Sequence, residues 1–321
     1  MKVIVIGLGS MGQRRIRLLK QIDKNIEIIG LDNNLERGKS VQGKYGIKLV
    51  HSIEEGLTEH IDCALICTSP LSHASLLKKL IHYDIFLFTE LNLIKDGYEL
   101  FQKYEEKLFL SSTLLYRKDI QHIIDKCRHQ PVNYIYHVGQ YLPDWHPWES
   151  YKDYFVGNQK TNGCRELLAI DLPWIIAAFG NIKHMLVKKG KNSSLEINYS
   201  DNYLIIFEHE NNTKGIVALD VIARKAIRRL EVYSENIHLF WEGTPDSIRE
   251  LDILNNCFKT ASFYETVDKN ENYSENIIEN AYQDELAAFI NLVTKGDRSL
   301  IRYDFEKDDY ILSLIDKIEE A

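Results

Sequence analysis

The chain opens on a short apolar run, Val3-Ile4-Val5-Ile6, which passes directly into Gly7-Leu8-Gly9-Ser10-Met11-Gly12 and then into a helically patterned segment. A GxGxxG run placed between strand and helix is far more specific than the pattern alone. Gly7 permits a tight turn, Gly9 lets backbone approach a pyrophosphate, and Gly12 lets the helix sit close to the sheet. The helix start, with Ser10 and Met11, offers free N–H groups and positive potential to phosphates. Asp32 ends the next β-rich run, where a carboxylate accepts hydrogen bonds from ribose hydroxyls and repels a 2′-phosphate. NAD is the expected nucleotide, and Arg37 keeps NADP open.

From residue 2 to about 113, β-rich runs at 3–6, 27–31, 48–50, 63–67, 85–89 and 108–112 alternate with helical patterns. Such alternation predicts a parallel α/β sheet covered by helices. The fourth run ends in Cys67-Thr68-Ser69-Pro70, with His73 opening the next helix, and these residues are expected to line the crevice at the strands' carboxyl ends. After a bridging helix over 119–127 the texture changes to period-two strands. One helical island over 165–179 precedes strands spread over about 182–263, including 195–199, and two amphipathic helices close the chain. The pattern predicts a nucleotide-binding domain at 1–118 and a second, α+β domain at 119–321 with an open, mainly antiparallel sheet, for substrate and subunit contacts.

Charge removes several classes of partner. The 321 residues carry 47 acidic and 39 basic side chains, a net charge of −8, with no block of consecutive Lys or Arg. Neither nucleic acid nor an anionic membrane is an expected partner. No apolar run approaches the roughly 18 residues of a membrane span, and Lys2 runs at once into a strand rather than a leader, so a cytoplasmic location is expected. Five cysteines lack CxxC spacing and 11 histidines are scattered, so neither a disulfide framework nor a metal is expected.

Several separate stretches resemble the glucose-fructose oxidoreductase, inositol dehydrogenase and rhizopine-catabolism (Gfo/Idh/MocA) family. They are VIGLGSMGQRR at the nucleotide loop, CTSPLSH after the fourth strand, and FLFTELNLI where the family has its strand-ending EKP signature. The run Tyr141-Leu142-Pro143-Asp144-Trp145-His146-Pro147 resembles the YLPDWRP stretch of a branch associated with sugar and surface-polysaccharide metabolism. Asp220, Arg224 and Arg228-Arg229 resemble a later strand of that branch. The resemblance implies a Rossmann domain followed by an α/β domain whose open sheet makes a homodimer or homotetramer. It also implies a small-molecule sugar or nucleotide-sugar substrate and a place for Glu90 beside the cofactor.

Two departures stand out against that resemblance. Glu90-Leu91-Asn92 keeps the signature's Glu and loses its Lys, and counting back from Gly180 puts Ile170 at the position of the family's helix His. Oxidation of a sugar hydroxyl needs a group within about 3 Å that takes the proton at neutral pH. Neither Leu nor Ile qualifies. Either the proton chemistry has moved, with His146, oriented by Asp144, and Glu166 as candidates, or the chain binds nucleotide and sugar without turnover. Tyr141 and Trp145 can stack on a sugar face, while Arg165 and Asp171, on the helix that faces the crevice in the family, are further substrate-binding candidates. The expectation is an NAD(P)-dependent sugar oxidoreductase of surface-carbohydrate biosynthesis with unusual proton-transfer residues.

Overall fold

The computed structural model describes residues 1–269, 274 and 276–321, which cluster into two units. The first comprises 1–113 with 282–310, and the second 114–281 with 311–321. The first crossing lies near the expected 118, whereas 282–310, expected in the second domain, clusters with the first. An amphipathic helix announces that it covers a core, not which core. Phe289 supplies the answer here, with its ring 5.4 Å from Phe88 and 5.7 Å from Phe109.

The first unit runs β1 (Lys2–Ile6), α1 (Ser10–Ile22), β2 (Glu27–Leu31), α2 (Leu35–Tyr45), β3 (Lys48–Leu49), α3 (Ile53–Leu57), β4 (Cys63–Ile66), α4 (Pro70–Leu80), β5 (Phe86–Thr89), α5 (Tyr98–Lys103) and β6 (Leu108–Leu110). Its six strands pair in the order β3-β2-β1-β4-β5-β6, all parallel. Residues 3–6, 63–66 and 108–110 are buried without interruption, as strands covered on both faces require. Strand order reverses between β1 and β4, which places a switch point at the ends of these strands, beside Gly7 and Cys67. Ser69 caps α4 by accepting from the Leu71 N–H, and Pro70 takes its first position, where no N–H is needed.

The second unit begins with α6 (Lys118–Cys127) and β7 (Asn133–Gly139), followed by α7 (Gly163–Phe179). Then come β8 (Ile182–Gly190), β9 (Asn202–His209), β10 (Lys214–Asp220), β11 (Ile227–Tyr233), β12 (His238–Trp241), β13 (Ile248–Asp252) and β14 (Cys257–Ala261). The sheet order is β14-β13-β12-β11-β7-β10-β9-β8, antiparallel except for the β7–β10 pair. Tyr134 of β7 stacks on Phe179 of α7 at 4.1 Å and Tyr136 meets Trp174 edge-on at 5.1 Å, so α7 covers one face of the sheet. The expected strand at 195–199 does not form. Leu195, Ile197 and Tyr199 are buried in alternation as predicted, but Asp201 accepts the N–H groups of Asn192 and Ser193 and folds the segment into turns. Helices α8 (Glu279–Lys295) and α9 (Phe305–Glu320) end the chain.

Candidate functional site

The nucleotide loop is built from three glycines under different constraints. Gly7 turns the chain with φ +91°, and a Cβ there would lie 2.8 Å from the Cys67 carbonyl; at Gly12 a Cβ would fall 1.9 Å from the Gly7 oxygen. Gly9 has open space instead, with no atom within 4 Å of a notional Cβ. It is also the N-cap of α1 and brings no capping side chain to the Ser10-Met11-Gly12 turn. An open cradle over an uncapped helix N-terminus fits a pyrophosphate.

Asp32 lies next to this loop. Its carboxylate accepts from the N–H groups of Leu8 and Asn34, both at 2.7 Å, and from Arg37 Nε at 3.0 Å and Nη2 at 3.1 Å. Two backbone donors fix the carboxylate at the end of β2, and the Arg37 guanidinium covers it. Residues 7, 8, 9, 12 and 32 together fit an adenosine diphosphate half, and NAD bound there supplies a hydride acceptor at its nicotinamide end.

The strand-end residues are more occupied than the sequence suggests. Glu90 receives Arg15 Nε at 2.7 Å and Nη2 at 3.0 Å, while the same Nη2 also reaches Glu285 at 2.7 Å. The Cys67 thiol lies 3.7 Å from Glu90, and burial together with that carboxylate pushes it well above the usual thiol range. His73 is buried between the Thr68 carbonyl and Asn92, 3.0 Å from each. Burial lowers its pKa, so the ring is neutral and has one N–H to give. Nε2 lies against the Thr68 carbonyl and Nδ1 against the Asn92 amide oxygen, while the Asn92 Nδ2 group donates to the Tyr98 hydroxyl. Asn92 continues to Tyr98 and then to Asp308, whose carboxyl burial raises to about 6. His73 therefore ties the loop after β4 to the loop after β5.

In the second unit the candidates separate into two groups. Arg165, expected as a ligand clamp, is held by Asp316 at 2.7 Å and by Glu319. Asp171 is buried and accepts from Tyr136 (2.6 Å), Trp174 (2.8 Å) and Arg228 (2.9 Å). Both are engaged as internal ties. Asp144 is exposed and does not orient His146; Glu149 does so at 2.7 Å, and the imidazole stacks on Trp148 and Tyr154.

Glu166 is different. Its Oε2 is buried without a hydrogen-bond partner, as is the hydroxyl of Tyr154. Burial raises the Glu166 carboxyl to about 8, and its charge raises the pKa values of Tyr154 and Tyr199 further. The same edge of the unit gathers the loop after β7. A Cβ at Gly163 would meet Leu142 at 3.0 Å, Val221 at 3.1 Å and Trp145 at 3.5 Å, so Tyr141–Trp145 and the first turn of α7 are packed together.

Several of these groups had no functional reading in sequence. Arg15 did carry a signal, since it shares the buried helical face of Gly12, Ile16 and Leu19, where an unpaired charge does not survive. The Asn92-Tyr98-Asp308 chain carried none, because its members meet only in three dimensions. Among the described residues, no group of three His, Cys, Asp or Glu side chains is placed to hold a metal ion, and no helix is long and apolar enough to cross a membrane.

The fold and loop define a class: residues 1–102 match the oxidoreductase family GFO_IDH_MocA, NAD-binding Rossmann fold. The match covers the nucleotide-binding part of the first unit and gives those residues the NAD-binding Rossmann fold of that oxidoreductase family. No curated protein matches it in sequence. Among solved structures it is similar to a myo-inositol dehydrogenase from Corynebacterium glutamicum, with TM-score 0.75 and 16% identity over 100% of this chain and 96% of that one. A UDP-N-acetylglucosamine 3-dehydrogenase from Acidithiobacillus ferrooxidans gives 0.78 and 14%, over 100% and 97%. An oxidoreductase from Agrobacterium radiobacter in complex with NAD+, L-tartaric acid and magnesium gives 0.75 and 14%, over 100% and 95%. At these identities the likeness establishes the fold of the whole chain.

Proposed function

We propose that this oxidoreductase acts on a sugar, amino sugar or nucleotide-linked sugar in the cytoplasm, in surface-carbohydrate biosynthesis, and that Glu166 handles the substrate's hydroxyl proton. The observation that carries the reading is the buried, unpartnered Oε2 of Glu166, whose carboxyl titrates at about 8. NAD, which Gly7, Gly9, Gly12 and Asp32 would hold, would supply the hydride acceptor or donor, and the Glu166 carboxyl would take the hydroxyl proton in oxidation and return it in reduction. A pKa near the working pH suits a group that must both take and give a proton. Tyr141 and Trp145 supply flat faces for the sugar ring. The names of the inositol and UDP-N-acetylglucosamine dehydrogenases point to the same polyol and nucleotide-sugar chemistry.

Leu91 and Ile170 favour a second reading, a binder of nucleotide and sugar that does not turn over. Incubation with NAD+ or NADH and a panel of hydroxy and keto sugars separates the two at 340 nm. Absorbance change that is lost in Glu166→Gln supports the enzyme. Silence across the panel, with nucleotide bound, supports the binder.

We also assign self-association to the outer face of the second sheet. Leu186, Ile206, Ile216 and Ile135 stand side by side across β8, β9, β10 and β7, each between 43% and 58% exposed. A row of exposed aliphatic side chains on an open sheet is a surface that association buries. Ile206→Lys is expected to convert a dimer or tetramer to monomer in size-exclusion chromatography with light scattering, and a wild-type monomer would refute the assignment.

A further inference from the structure

Arg224 sits in the connection from β10 to β11, and its guanidinium lies 4.0 Å above the ring of Tyr141. It is exposed and has no ion pair with any described residue. Arg37, Arg165 and Arg228, by contrast, are each tied to a carboxylate. The mounting beneath it is rigid. Asp220 accepts the N–H groups of Ile222 at 3.0 Å and Ala223 at 2.7 Å, and its other oxygen is held by His137 at 2.9 Å. The carboxylate can lie there because β7 ends in Gly139, where a Cβ would come within 2.7 Å of it. Tyr141 N–H then donates to the Ala223 carbonyl at 2.7 Å, and Leu142 N–H to Val221 at 2.9 Å. The two loops are thus laced together, ring beneath cation.

A guanidinium stacked on a ring keeps its in-plane N–H fork free, and that fork matches two oxygens of a phosphate. Lys225, next in the chain and exposed, adds a second positive charge. The edge that carries Arg224 also carries Trp145 and the first turn of α7 with Glu166, through the packing of Gly163 against Val221 and Trp145.

We propose that Arg224, mounted on Tyr141, binds a phosphate or diphosphate ester of the sugar, so that the substrate is a phosphorylated or nucleotide-linked sugar rather than a neutral one. This rests on the reading of that edge as the sugar site.

The test is calorimetric titration of the full chain with N-acetylglucosamine, its 1-phosphate, its UDP-linked form, UDP alone and glucuronic acid, repeated with other hexose 1-phosphates and their nucleotide-linked forms. At least one phosphorylated sugar is expected to bind tenfold or more tightly than its neutral parent. Arg224→Ala should remove that advantage, Arg224→Lys should restore part of it, and Tyr141→Leu should weaken it several-fold. Affinity for NAD and the melting temperature should be unchanged in Arg224→Ala. Three results overturn the proposal: phosphorylated sugars binding no better than neutral ones, an advantage that survives in Arg224→Ala, or an Arg224-dependent preference for glucuronic acid alone. Binding is read without turnover, so failure of hydride transfer would refute the dehydrogenase reading and leave this result standing.

Discussion

Arg15 Nε donates to Glu90 Oε1 at 2.7 Å, with the arginine fully buried and the glutamate 8% exposed. The strand-ending glutamate kept from the EKP signature is therefore the counter-ion of a core arginine. Because Nη2 of the same arginine also reaches Glu285, one guanidinium serves two carboxylates, and burial raises the Glu285 pKa.

Removing that cation leaves both carboxylates in the core. Arg15→Met is expected to lower stability by about 3–5 kcal/mol, the usual cost of stranding a buried charge. Denaturant unfolding checks this, and a loss below about 1 kcal/mol would show that the triad is not a structural tie.

Gly9 and Gly12 separate nucleotide binding from folding. A Cβ at Gly9 enters open space, whereas one at Gly12 collides with the Gly7 carbonyl. Gly9→Ala should therefore melt within a few degrees of wild type while losing the rise that NAD gives. At 100 times its dissociation constant that rise corresponds to about 2.7 kcal/mol. Gly12→Ala should itself melt lower. An undiminished NAD shift in Gly9→Ala would contradict the assignment of the cradle.

Glu166 makes stability depend on pH with a definite sign. Its carboxyl titrates at about 8 when folded against 4.5 when unfolded, so the folded state holds the proton more tightly. The stability this gives is complete below pH 4.5 and is lost as pH rises through 8. Glu166→Gln, neutral throughout, should match wild type in acid, gain on it as pH rises from 4.5 toward 8, and level off above that with a lead on the order of 4 kcal/mol. Melting curves of the two proteins that run parallel from acid to alkaline pH would show that Glu166 is not a buried acid.

Much of the first unit was legible in the chain itself. Strands buried on both faces write unbroken apolar runs, and the turn between β1 and α1 writes its glycines. Local signals of this kind survive without knowledge of neighbours. The second unit was less legible because its boundaries depend on pairing: 195–199 has the alternation of a strand but no partner, while β13 and β14 lie where no strand was separately read. In the site, Asp32 and the glycines come together as their spacing predicts, Asp32 accepting from the Leu8 N–H within the loop. Arg165 and Asp171 do not, since their engagement depends on Asp316, Glu319, Tyr136 and Arg228, all distant in sequence. His146 follows the same rule, its partner being Glu149 rather than Asp144.

The most direct test of the proposal that Glu166 handles the substrate's hydroxyl proton is the pH profile of kcat/KM for hydride transfer at 340 nm in wild type and Glu166→Gln. The account predicts a wild-type profile governed by a group near 8, and in the variant a loss of at least a hundredfold, the scale of general acid–base catalysis, with that inflection gone. A variant that retains wild-type kcat/KM and the same inflection would contradict it.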